Sequence, residues 1–286
     1  MTQIYGFKNP TSCSDFDFGS AQYNGYTGGL SAEHILEFKL LARFLDDLNV
    51  KKGYDAYENP ADSREDVTLC QYMKPYWSGP PASFITYDGS GVRNTPISWV
   101  SKAYPGTYSH ADEFVLLDTG VNGVKERMWS TKAIYDPKAM AKAVKENPGA
   151  AVKRVRKVLG AWQYHTFGYV SDILVTQRDR VATTLGDLED RLQGNTYTPP
   201  SGSISPYQRI GLKSEWQKWS KDIAASTIAR TAAFLDMWTY ELEKDYDSNS
   251  YRQEAKKDAK KQAVNDLVRA LVKANNARNP WNNPFT

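Results

Sequence analysis

Two cysteines, Cys13 and Cys70, are too few for a disulfide framework or a cysteine-based zinc site. Three histidines, His34, His110 and His165, lie far apart and offer no metal-ligand spacing, so neither metal nor cofactor is expected. No run of eighteen apolar residues occurs, which leaves no candidate membrane-spanning helix and no expectation of integral membrane association. The first residues, Met1 to Lys8, lack the apolar stretch of a signal peptide. Synthesis in a cytoplasm is the expectation, with residence in an assembled virion or filament as its extension. Repeats of solenoid length are missing as well.

Aromatic residues, by contrast, are plentiful: 8 Trp, 18 Tyr and 10 Phe. Such rings suit either a core or subunit contacts, since Trp and Tyr bury much area and keep a polar handle. The net charge of +3 conceals an asymmetry. Residues 1–125 carry 10 Lys+Arg against 15 Asp+Glu, net −5, whereas residues 126–286 carry 26 against 18, net +8. An acidic half beside a basic one suits docking between copies or contact with nucleic acid.

Apolar spacing predicts a mainly α fold of long antiparallel helices packed as a bundle. Ser31 reads as an N-cap for a helix over Ala32 to Leu48, with Ile35, Leu36, Phe38, Leu41, Phe44, Leu45 and Leu48 on one broad face. Three- and four-residue steps predict further long helices over Pro148 to Gly194, Ser214 to Asp247 and Ser250 to Asn276. Asp136-Pro137 and Asn147-Pro148 each read as a cap followed by proline at the first helical position. Gly160 and Gly168 weaken the first long helix and predict a bend. Asp62 to Met73 reads as a short helix stopped at Lys74-Pro75. Between residues 50 and 125 the chain reads as an irregular, partly β layer, in which Phe84 to Tyr87 and Ile97 to Val100 are short apolar pieces able to pair as strands. Pro199 to Pro206 reads as a loop. Domain organisation follows: an extended arm over 1–30, whose Ile4, Phe16, Phe18 and Tyr23 call for burial, one helical domain over 31–278 with its bundle over 136–278, and a second arm over 279–286.

Three constellations bear on function. Lys153, Arg154, Arg156 and Lys157, followed by Trp162 and Tyr164, are the candidate nucleic-acid contacts, since cations neutralise phosphates and rings stack on bases. A solvated helix face is the alternative meaning of that run, and of Lys256, Lys257, Lys260 and Lys261. Tyr5, Phe7, Trp281 and Phe285, at the two ends, are candidate anchors onto neighbouring subunits. Ser109, His110 and Asp112 have triad chemistry but stand too close in sequence to form one.

The stretch Val115 to Gly120, ending Asp118-Thr119-Gly120, resembles the active-site triplet of retroviral and pepsin-like aspartic proteases. That resemblance implies an all-β fold and a second Asp-Thr/Ser-Gly, so that two carboxyls share a proton. It covers about six residues, carries Val121 where the family has Ala or Ser, and finds no second triplet. A capped helix over 109–120, with Ser109 as N-cap, Asp112 completing a capping box and Gly120 at the end, accounts for the same residues.

With no motif of specific chemistry, the expectation is a non-enzymatic, self-assembling structural subunit, such as a coat, connector or filament component of a virus or phage particle. Its partners would be copies of itself and, at the basic cluster, nucleic acid. A helical pore-forming or membrane-remodelling protein is the alternative, and an enzyme with a site assembled from scattered residues is a further one.

Overall fold

Proline after a capping residue starts helices as its fixed φ dictates: Asp136 accepts from Ala139 N over 2.7 Å and Asn147 from Ala150 N over 3.1 Å. The computed structural model describes residues 3–20, 28–53, 56–79, 84, 86–87, 91, 93–106, 109–194 and 205–286. In chain order these form β1 (Ile4–Phe7), β2 (Phe18–Ser20), β3 (Leu30–Glu33), α1 (Lys39–Lys52), β4 (Tyr57–Asn59), β5 (Asp62–Val67), α2 (Leu69–Ser78), β6 (Thr86–Tyr87), β7 (Arg93–Asn94) and α3 (Pro96–Ser101). After a short 3-10 turn come β8 (Val115–Asp118), α4 (Thr119–Met128), α5 (Pro137–Glu146), α6 (Pro148–Thr166), α7 (Gly168–Gln193), α8 (Leu212–Tyr246), α9 (Asn249–Ala255) and α10 (Ala259–Asn276). The protein is mainly α, with a small mixed sheet.

The described residues cluster into two compact units where the sequence suggests one body over 31–278. Unit 1 contains residues 1–35, 112–173 and 223–286; unit 2 contains 36–111 and 174–222.

Unit 1 is built on a four-stranded sheet in the order β2-β1-β8-β3. β1 runs antiparallel to β2 and parallel to β8, with Ile4 opposite Leu116 and Tyr5 opposite Leu117. β8 in turn pairs antiparallel with β3, Ser31 opposite Leu117. α6 crosses this sheet and also packs on α4, α5 and α10. The approach is close because Gly160 has no side chain: a Cβ there would lie 2.8 Å from Phe7 Cζ and 3.1 Å from Phe18 Cδ2. The first residues are therefore not a free arm. Tyr5 and Phe7 are buried strand residues, and Trp281 and Phe285 are buried too, all four within unit 1 of the same chain. Extended segments rich in rings bury them wherever a sheet edge or helix groove is at hand. Ile4, Phe16 and Phe18 are buried as well; Tyr23 lies outside the described residues.

Unit 2 holds α1, α2 and α3, the hairpin β4–β5 and the pair β6–β7, together with the 174–193 part of α7 and the first turns of α8. Its core includes Leu40, Phe44, Leu69, Tyr76, Leu185 and Trp216. Phe44 meets Trp216 edge-on at 5.3 Å, and Trp216 donates to Arg178 O over 3.0 Å.

Several elements differ from the sequence expectation, some through a distant strand partner and others through a local hairpin or cap. Ser31 caps no helix, because β3 pairs with β8 and α1 begins only at Lys39. Val115–Asp118 is a strand rather than the end of a helix opened by Ser109, since β1 and β3 flank it on both sides. The Asp62–Met73 stretch divides: Asp62–Val67 pairs with β4, and Thr68 opens α2 through a capping box with Gln71. Pro75 lies inside that helix instead of stopping it. Ile97–Val100 is helical, started by Thr95 and Pro96. The first long helix is interrupted at Phe167, and the last at Lys256–Asp258, where Asp258 caps α10. Most of the loop expected over Pro199 to Pro206 lies outside the described residues.

Candidate functional site

Helix α1 carries two apolar stripes. Leu40, Phe44 and Leu48 recur every four residues and are buried. Phe38, just before the helix, with Leu41, Ala42 and Leu45 follows i, i+3, i+4, i+7 spacing, and this stripe faces an open recess of about 410 Å³. Trp77 of α2 and Ile97 and Val100 of α3 complete its wall. Phe38 and Ile97 are 51% and 57% exposed. Phe38 is held by an edge contact with Tyr104 at 5.0 Å, and Thr95 fixes α3 by accepting from Ser98 N over 3.3 Å. The recess is thus a preformed apolar groove in unit 2, of a volume seen in binding pockets. Among its lining residues Lys39 carries charge.

The buried charges Glu189, Lys125, Arg156 and Asp247 are each tied to backbone groups or to an opposite charge. In unit 2 the Glu189 carboxylate, fully buried, accepts from the N–H groups of Ile210, Gly211 and Leu212 over 2.7, 3.1 and 2.7 Å, and from Tyr207 Oη over 3.1 Å. It neutralises the positive end of α8. Gly211 makes this turn possible with φ of +83°. Burial, and then the Glu189 charge, push the Tyr207 phenol far above its ordinary range.

In unit 1, Lys125 is inaccessible to solvent, paired with Glu33 and donating to His34 O over 2.9 Å. His165 stacks on Trp281 at 4.3 Å. Burial, aided by the Lys125 charge and opposed by a hydrogen bond to Ala161 O, lowers its pKa to about 3. Arg230 closes the C-terminus of α4, donating to Met128 O and, over 2.6 Å, to Ser130 O. Asp247 is buried, which works to raise its pKa, but Arg252, Asn265 and Arg269 outweigh this and hold the carboxyl below its usual range.

The basic cluster of α6 does not present one face. Arg156 is buried, donates to Asp15 O over 2.5 Å and Asn9 O over 3.1 Å, and lies 3.6 Å from the Phe7 ring centre. Arg154, half-buried, donates to Ala139 O over 3.0 Å. Lys153 and Lys157 are exposed. Trp162 faces inward and donates to Asn279 O over 2.8 Å, which brings the chain end back onto α6.

Asp118 is an N-cap: its Oδ1 accepts from Gly120 N over 2.9 Å and Val121 N over 3.0 Å. Ser109 and Gly106 form a β-bridge, so Ser109 opens no helix. Among the described residues no group of three or more His, Cys, Asp or Glu is placed to hold a metal ion. Nor is any of their helices long and apolar enough to cross a membrane.

Two features were not singled out by the sequence reading, though each left a trace. Glu189 lies between Leu185, Leu188 and Leu192, a carboxylate on an apolar stripe. The apolar face of 35–48 is too broad for one buried side of a helix. No family model, curated protein or solved structure matches the chain.

Proposed function

We propose that the chain is a non-enzymatic structural subunit that associates with copies of itself, as coat, connector or filament components of virus and phage particles do. The observation that carries this reading is the groove of unit 2, where Phe38 and Ile97 stand half in water beside an apolar recess. Covering apolar surface stabilises a contact by about 25 cal/mol per Å² removed from water, less the cost of association. The anchoring of Glu189, Arg156 and Arg230 to backbone groups supports the same reading, because it directs their charge to holding the body of the subunit in shape. In this reading the long helices of unit 1 pack as an antiparallel bundle that supplies a stiff body. Lys153 and Lys157 are the members of the basic cluster open to nucleic acid, a narrower contact than all four residues would give.

Light scattering of the purified chain over a range of concentrations tests the proposal, with the 260/280 nm absorbance ratio read before and after nuclease. A mass rising above 32.2 kDa toward a discrete assembly is expected. A constant monomer mass at every concentration overturns it. Loss of 260 nm absorbance on nuclease treatment is the expected sign of nucleic acid at Lys153 and Lys157, and the variant K153E/K157E should abolish it.

A further inference from the structure

Resting on the nucleic-acid part of that reading, we infer that Arg127, Arg154 and Tyr135 form a phosphate-binding site in unit 1 that grips the backbone of a nucleic acid. The end of α4 and the first half of α6 bring two guanidinium groups to one ring. Arg127 Cζ lies 5.0 Å and Arg154 Cζ 5.7 Å from the centre of Tyr135. Phe234 meets the same ring at 6.1 Å. With its ring so occupied, Tyr135 offers a hydroxyl rather than a face for stacking, which suits a phosphate and not a base.

Other arginines of unit 1 are used up inside the chain. Arg252 pairs with Asp247 and Arg278 with Asp236, while Arg156 and Arg230 each donate to at least two backbone carbonyls. Arg127 and Arg154 differ. Each gives Nη1 to a single carbonyl, Ile134 O at 3.4 Å and Ala139 O at 3.0 Å. Neither has a carboxylate partner, or an acceptor for Nε or Nη2, among the described residues. Tyr135 Oη has no hydrogen-bond partner among them either, and both guanidinium charges act on it, opposing the upward push of burial on its pKa. Two forked cations with N–H groups to spare, beside a free hydroxyl, match the acceptor oxygens of a phosphate. Lys132 and Lys138, three residues to either side of Tyr135, are exposed and add positive charge. Asp136, the one carboxylate between them, is engaged in capping α5 through Ala139 N.

The salt dependence of binding to a labelled oligothymidylate tests this on the full chain. Each phosphate contact on a single strand contributes about 0.7 to the slope of log affinity against log salt. R127Q/R154Q should therefore flatten that slope by about 1.4 and weaken binding at low salt about tenfold. K256Q/K260Q removes the same charge from exposed positions at the α9–α10 junction and should leave the slope unchanged. Y135F keeps the ring and loses only the hydroxyl. It should cost about threefold in affinity without changing the slope, and it carries the test if R127Q/R154Q melts early. Equal flattening by both double variants would mean a diffuse cationic surface and no site. If R127Q/R154Q and Y135F bind as the parent does while K153E/K157E does not, the inference falls and the contact at Lys153 and Lys157 stands. A parent that binds inorganic pyrophosphate but no oligothymidylate would show a site for a free phosphate compound, which overturns the nucleic-acid assignment. A parent that binds neither removes the nucleic-acid part of the underlying reading as well, and leaves self-association to light scattering.

Discussion

Trp129 donates its indole N–H to Nε2 of His165 over 3.1 Å. That bond requires a lone pair on Nε2, so the ring proton sits on Nδ1, where Ala161 O accepts it at 2.7 Å. Both ring nitrogens are therefore satisfied in the neutral tautomer, and a second proton would break the bond from Trp129.

The acid sensitivity of the fold follows. The folded pKa of about 3 lies below the unfolded value near 6.5, so only the unfolded chain takes up a proton between them. His165 thus leaves stability intact above about pH 6.5 and erodes it as pH falls toward 3, by at most about 1.4 kcal/mol per pH unit. Urea titrations at pH 7, 6 and 5 should show a smaller pH slope in H165Q than in the parent. Equal slopes would mean that His165 takes up its proton without penalty in the fold.

Lys125 and Glu33 are a buried pair, and such pairs are costly to halve. E33Q should destabilise the fold by about 3–5 kcal/mol, because it leaves an ammonium in the interior without its counter-charge. Replacing both, as K125M/E33L, should recover most of that loss. Chemical denaturation of the two singles and the double measures the coupling; additive losses would show that the two side chains do not depend on each other. K125M should also raise the His165 pKa, since the Lys125 charge helps to lower it.

Glu189 makes a local prediction. E189Q keeps one acceptor oxygen but removes the negative charge at the start of α8, a change worth about 1–3 kcal/mol for charge-assisted bonds to buried donors. Hydrogen exchange should accelerate at the amides of Ile210, Gly211 and Leu212 before it does elsewhere in α8. Unchanged protection at these three amides would contradict the capping role.

Gly160 sets two effects against each other. Alanine is favoured over glycine in a helix interior by about 1 kcal/mol. Here its methyl would lie 2.8 Å from Phe7 Cζ, in a site where Phe7 is wedged between Phe18 at 5.1 Å and Arg156 at 3.6 Å. Overpacking costs about 1–3 kcal/mol, so G160A should lower the melting temperature on balance. A higher melting temperature would show that the Phe7 ring moves aside freely.

What was legible in the sequence was what is local. Asp136-Pro137 and Asn147-Pro148 start their helices because a cap and a fixed φ act within four residues. Ser31 and Ser109 carried the same kind of signal, yet strand pairing across the chain, Ser31 with Leu117, decided the outcome for β3 and β8. The cluster at Lys153 to Lys157 was visible as charge, but that Arg156 turns inward depends on where the Asn9 and Asp15 carbonyls come to lie. The groove was foreshadowed by the apolar breadth of 35–48; its second wall, from Trp77, Ile97 and Val100, was not.

Trp281 also sets an order of events. It stacks on His165 and meets Trp162 and Trp129 edge-on, so the middle of unit 1 is roofed by residues near the end of the sequence. During synthesis those three rings emerge long before their cover does. The interior of unit 1 must therefore wait, open to water and to any chaperone, until translation has passed Trp281.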